Sequence, residues 1–137
     1  MLEVTAEWVS GYESRVRARV HEITIDEPAS AGGEDHGMMP TEAFCASLAS
    51  CFCLAVAHVA RKRGLELPGL RVVVRAERPG NELRYGRFEV EAQAEVPAEE
   101  LGRLIEPARR VCWVSNTLVH GVELEYGYTS VDGHTPR

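Results

Sequence analysis

The chain has 137 residues, the usual size of one domain, and a chain this long buries a core without disulfide staples. Its net charge of -6 argues against a general nucleic-acid binder, which needs a basic face. The opening MLEVTAEWVS has no basic stretch followed by an apolar one, so no secretory signal is expected and the chain reads as cytoplasmic.

Leu2 to Val9 is rich in strand formers and precedes a turn at Ser10-Gly11. Ser14 to Ile25 alternates, with Val16, Ala18 and Val20 on one face and Arg15, Arg17, Arg19 and His21 on the other, so a half-exposed strand is expected. The two make a hairpin. Residues 26–40, with two prolines, three glycines and four acids, read as a loop, and a loop of this length is more often functional than idle. His36 in it reads as solvated. Pro40, Thr41 and Glu42 then open a helix expected to run to Lys62, with Arg61-Lys62-Arg63 at its C-terminal end and Gly64 as its stop.

Ala43 to Ala60 carries no formal charge, and at about 18 residues it reaches the short end of a membrane span. Its abundance of Ala, Ser and Cys favours instead a central helix packed on all sides by protein. One 137-residue chain cannot easily cover such a helix, so a dimer in which it packs partly against its twin is expected. Leu70 to Ala76 and Leu83 to Val96 read as strands joined through Arg78-Pro79-Gly80-Asn81. A helix opens at Pro97 and is expected to break or kink at Pro107, and a second runs from Ala108 to Val119. Val122 to Thr129 alternates as a last strand, and VDGHTPR reads as a frayed tail. The order is that of a single α+β domain over residues 1–137.

The four cysteines are Cys45, Cys51, Cys53 and Cys112. None of their spacings is a zinc or thioredoxin-like pair, and three lie in one helix, unlike a secreted disulfide framework. Cys51 sits about two and a half turns into the helix, with Cys45 and Cys53 roughly 240° and 200° around from it. Free cysteines are often simply small, buried apolar residues. Cys112 stands in the run Val111-Cys112-Trp113-Val114-Ser115-Asn116, and spacing alone does not say whether it meets Cys51. His58, two turns beyond Cys51 and nearly on its face, reads as a core histidine or a site residue.

Several of these segments together resemble one family. Asp26-Glu27-Pro28, Gly32-Gly33-Glu34-Asp35, Gly37, Pro40-Thr41-Glu42-Ala43-Phe44 and Leu48-Ala49-Ser50-Cys51, followed by Cys112-Trp113-Val114-Ser115-Asn116, are similar to the OsmC/Ohr signature. That signature is an acidic, Gly-rich loop, a helix bearing a cysteine, and a second cysteine before Val-Ser-Asn. The resemblance implies an OsmC-like α+β fold with antiparallel sheets around a long buried central helix, in an intertwined homodimer. It implies a thiol peroxidase for organic hydroperoxides, with Cys51 forming a sulfenic acid and Cys112 resolving it as a disulfide that an external dithiol reduces. It implies no metal and no organic cofactor. The family sets its thiol with an arginine held by a glutamate. By the resemblance, Glu42 would be the glutamate, and Arg17 or Arg15 would substitute for the arginine.

Phe44, Phe52, Trp113 and Met39 or Met38 either shape a pocket for a bulky hydroperoxide or simply pack the core. Two positions depart from the family pattern: Thr41 directly follows the proline where glutamate is usual, and residues 28–40 hold no arginine. They keep open a second reading, a non-catalytic small-molecule-binding or redox-sensing protein of the same fold.

Overall fold

A computed structural model describes residues 1–132. Three strands, β1 (Thr5–Ser10), β2 (Glu13–Ala18) and β3 (His21–Ile25), form an antiparallel meander. The first turn carries Gly11 at φ 52, and Trp8 Nε1 donates to Gly11 O at 2.9 Å. The expected single strand from Ser14 to Ile25 is in fact β2 and β3. The chain reverses at Arg19-Val20, where Arg19 takes φ 56, and Ala18 pairs with His21. Alternation continues across so tight a turn, which is why the sequence pattern hid it. The first strand also starts later than Leu2.

A short 3-10 turn at Ala29–Ala31 interrupts the loop before α1 (Pro40–Lys62). The start of α1 is fixed by Pro40 in its first turn and by Glu42, whose Oε1 accepts from Met39 N at 2.8 Å. Leu48, Phe52, Ala55, Val56 and Val59 form its buried stripe, at the spacing of one helical face. The opposite side is bare: Ser47, Ser50, Leu54, Ala57, His58 and Arg61 are exposed. The expectation of a helix enclosed on all sides therefore fails for the single chain, which has too little remaining structure to wrap it. The helix is long and apolar enough to cross a membrane, yet its inner face lies in the protein core.

Strands β4 (Arg71–Glu77) and β5 (Arg87–Gln93) make a separate antiparallel pair, with Val72 opposite Ala92 and both packed on the core. Helix α2 (Ala98–Arg110) continues through Pro107, so of the expected break or kink the break does not occur. A proline there leaves the carbonyl four residues back without its helical donor. Arg63 Nη1 donates to that carbonyl, Arg103 O, at 3.4 Å. Helix α3 (Trp113–His120) follows, shorter than the expected Ala108–Val119 because Ala108 belongs to α2. The core gathers where α1 meets α2, α3 and β4.

Among the described residues, the last expected strand, Val122 to Thr129, has no strand partner. Its alternating Val122, Leu124, Tyr126 and Tyr128 are 68%, 73%, 92% and 78% exposed. The expected frayed tail begins after this stretch, at Val131, and its residues 133–137 lie outside the described residues. Every residue of β1 is exposed, and the β1–β3 meander packs appreciably on neither α1 nor β4–β5. Monomeric proteins of this mass expose about 7,100 Å². This chain exposes 10870 Å².

Candidate active site

Cys112 reaches the core through a helical stripe. Leu104, Ala108 and Cys112 are spaced by four residues, and each is 0% exposed. Cys112 ends that stripe as the residue capping α3, where its carbonyl accepts from Ser115 Oγ at 3.2 Å and Asn116 N at 3.0 Å. The Val-Ser-Asn run after Cys112 thus includes the residues that fix the turn holding it. Asn116 Nδ2 also donates to Arg110 O at 3.2 Å, locking the junction between the two helices.

Cys51 is half-buried beside Phe52 on α1 and packs against the same cluster, which comprises Phe52, Val56, Leu104, Ala108 and Cys112. Two cysteines far apart in sequence are therefore brought to one apolar core, both as free thiols. Cys45 and Cys53 are half-buried but are not part of that cluster. Exposed His58 lies two turns along α1 from Cys51.

Glu42 lies at the far N-terminal end of α1, roughly 13 Å along the axis from Cys51, and its carboxylate is engaged in capping. Arg15 and Arg17 stand on β2 in an exposed ion-pair group. Arg15 Nε is 3.2 Å from Glu22, while Arg17 Nε reaches Glu22 at 2.8 Å and Nη1 reaches Glu7 at 3.0 Å. Hydrogen bonds that the Arg17 guanidinium donates to Glu22 and then to Glu7 hold it above its usual pKa. Within one chain these arginines and Cys51 occupy separate layers.

The four aromatic and thioether residues named from sequence are dispersed. Phe52 is buried in the core, and Met39 caps α1. Trp113 is 80% exposed beside Asn116, Thr117 and Val122. Phe44 instead contacts Phe88, with ring centroids 5.8 Å apart, and Phe88 contacts Tyr85 at 5.9 Å. Sequence reasoning missed this aromatic group, although Phe88 stood on the apolar face of an alternating strand.

The loop before α1 is held by a second unanticipated group. Asp26 is 1% exposed, and its carboxylate accepts from Glu27 N at 2.7 Å and His36 N at 3.1 Å. The His36 backbone N–H is the leading cause of its lowered pKa. His36 Nδ1 meets Glu13 Oε1 at 2.5 Å, and that bond raises the imidazole pKa, so the solvent-exposed His36 also serves as a latch. Gly33 and Gly37 allow the wrap: a Cβ would fall 2.0 Å from Glu27 O and 2.1 Å from Thr24 O respectively. Asp26 N donates to Met38 O at 3.2 Å, closing the loop just ahead of α1.

An α+β chain with antiparallel sheets, a long cysteine-bearing helix and a second cysteine capping a later helix defines a narrow class of protein. The sequence model of the family described as OsmC-like protein matches residues 32–127, and the chain belongs to that family. No curated protein matches it. Among solved structures, a hypothetical protein from Aquifex aeolicus VF5 is similar with TM-score 0.72 at 22% identity, over 91% of this chain and 92% of that one. An organic hydroperoxide resistance protein OsmC from Legionella pneumophila is similar with TM-score 0.65 at 22% identity, over 86% and 88%. An organic hydroperoxide resistance protein from Elizabethkingia anophelis, with thiocyanate bound, is similar with TM-score 0.60 at 26% identity, over 85% and 86%. A peroxide-related redox function is suggested by this family.

Proposed function

We propose that the protein is a cytoplasmic thiol-dependent peroxidase that reduces organic hydroperoxides with Cys51 and Cys112. The observation that carries the reading is that one apolar cluster receives both cysteines. Cys51 thiolate attacks the terminal peroxide oxygen, the O–O bond breaks, and the alkoxide leaves as the alcohol after taking a proton. The sulfenic acid on Cys51 then condenses with the Cys112 thiol, forming a disulfide and releasing water. A dithiol returns both thiols by exchange and leaves as its own disulfide. An apolar cluster around the sulfurs favours an alkyl or aryl hydroperoxide over hydrogen peroxide.

The working unit is a homodimer. The excess of exposed surface, about 3,800 Å² per chain over a monomer of this mass, is more than enough for a permanent interface, which buries roughly 1,000–2,500 Å² or more per partner. The bare face of α1, with its small Ser47, Ser50 and Ala57, suits close approach of a twin helix, and the uncovered β1–β3 meander needs the same cover. In that assembly the meander of one protomer can lay Arg17 or Arg15 against Cys51 of the other. There the guanidinium favours the thiolate, and Glu42 fixes the start of the helix that carries the thiol.

The test is turnover of cumene hydroperoxide and of hydrogen peroxide by the reduced protein, with dithiothreitol or dihydrolipoamide as reductant. Preference for the organic peroxide, lost in Cys51→Ser, is the expected result. Absence of turnover in the wild type, with Cys51 resisting alkylation at neutral pH, overturns the reading in favour of a binding protein of the same fold.

A further inference from the structure

The aromatic group at the start of α1 opens into a cleft of about 640 Å³, within the range of small-molecule sites. Phe44 and Phe88 join Tyr85, Leu83 and Leu118 in lining it, and Leu83 is 96% exposed. Neither Cys51 nor Cys112 lines it, so it is distinct from the thiol cluster. Its charges are one-sided: Arg78 and Arg84 line the cleft, and no carboxylate does.

The two arginines are held differently. Arg84 Nε pairs with Glu82 Oε2 at 2.5 Å, which neutralises it. Arg78 is fixed by neutral acceptors, with Nε donating to Glu82 O at 2.5 Å and Nη2 to Asn81 O at 2.7 Å. Among the described residues Arg78 has no carboxylate in ion-pair range, and its Nη1 has no protein partner. Of the other arginines on these strands, Arg75 pairs with Glu91, Arg87 pairs with Glu77 and Glu89, and Arg71 has no ion pair among the described residues. Loop carbonyls thus hold a planar fork of donors rigid beside an open apolar surface, with its charge uncompensated. A guanidinium so held matches a carboxylate in charge and shape, and the aromatic walls match an apolar chain or ring.

We propose that this cleft binds an apolar carboxylate, the chain or ring lying on Phe44, Tyr85 and Phe88 and the carboxylate on Arg78. The site is independent of the peroxidase reading, since it uses neither cysteine and binding requires no turnover. Calorimetry on the full, reduced protein with octanoate and with 1-octanol separates the two components of recognition. Octanoate is expected to bind at least ten times more tightly than octanol, and Arg78→Gln is expected to bring it to the level of octanol. Backbone amide NMR shifts on octanoate addition should centre on residues 83–88 and the first turn of α1. This wild-type measurement decides the matter should Arg78→Gln disturb the loop. Equal affinity for the two ligands, retention of octanoate binding in folded Arg78→Gln, shifts centred elsewhere, or no binding because a second copy of the chain covers the cleft, would each overturn the proposal.

Discussion

Placing a charge on the bare face of α1 tests how the protein completes its fold. Leu54 is 70% exposed in the single chain. Full burial of a leucine contributes about 1.5–3 kcal/mol, so about 1–2 kcal/mol remains to be gained when a twin helix covers Leu54. A two-fold interface counts the residue twice, giving about 2–4 kcal/mol per dimer. At about 1.4 kcal/mol per tenfold, Leu54→Glu should raise the dimer dissociation constant roughly thirty- to several-hundredfold. Desolvating the two carboxylates raises it further. Light scattering and sedimentation across a dilution series give the assay. The wild type should hold at twice 15.1 kDa to low concentration, while Leu54→Glu dissociates or loses its fold on dilution. A wild type at 15.1 kDa throughout, or a Leu54→Glu dimer as tight as the wild type, would refute the reasoning.

Three further outcomes follow from particular contacts. Leu104→Ala, at a site with 0% exposure, should cost about 3–5 kcal/mol in urea unfolding, with a loss below about 1 kcal/mol counting against the described core. Arg17→Ala or Arg15→Ala should slow Cys51 alkylation at neutral pH, since in the proposed dimer that side chain of the partner lies against the thiol; an unchanged rate in both rejects them as its stabilisers. The latch formed by Glu13, Asp26 and His36 should be firmest between about pH 4 and 6.5. The raised pKa of His36 gives stability that is full below about 6.5 and lost as pH climbs through its folded value. The lowered pKa of Asp26 gives stability that is full above about 3.9 and lost as pH falls through its folded value. Melting temperature against pH should therefore lose its alkaline decline in His36→Ala, and identical curves would exclude the latch.

The long helix was legible because its signals agree: Pro40 and Glu42 at the start, cations and Gly64 at the end, and an unbroken apolar run between. Its environment was not, because composition reports how much apolar surface exists but not which chain covers it. The β2–β3 turn escaped notice because Arg19 takes a positive φ usually given to glycine, without interrupting the alternation. Pro107 misled for a similar reason: the side chain that compensates it, Arg63, lies just past the end of another helix. At the site, the two cysteine contexts singled out thiols that the structure brings to one core, and the Leu104–Ala108–Cys112 spacing explains how one of them reaches it. The Asp26–His36–Glu13 latch and the Phe44–Phe88–Tyr85 group were hidden because each joins residues from different elements.

The pairing of Cys51 with Cys112 is tested most directly by a single turnover. Reduced protein receives one equivalent of cumene hydroperoxide and is then digested and mapped by mass spectrometry without reductant. The account predicts a Cys51–Cys112 disulfide in the wild type, and in Cys112→Ser a sulfenic acid on Cys51 that dimedone traps. An unmodified Cys51, or a disulfide that instead draws in Cys45 or Cys53, would contradict it.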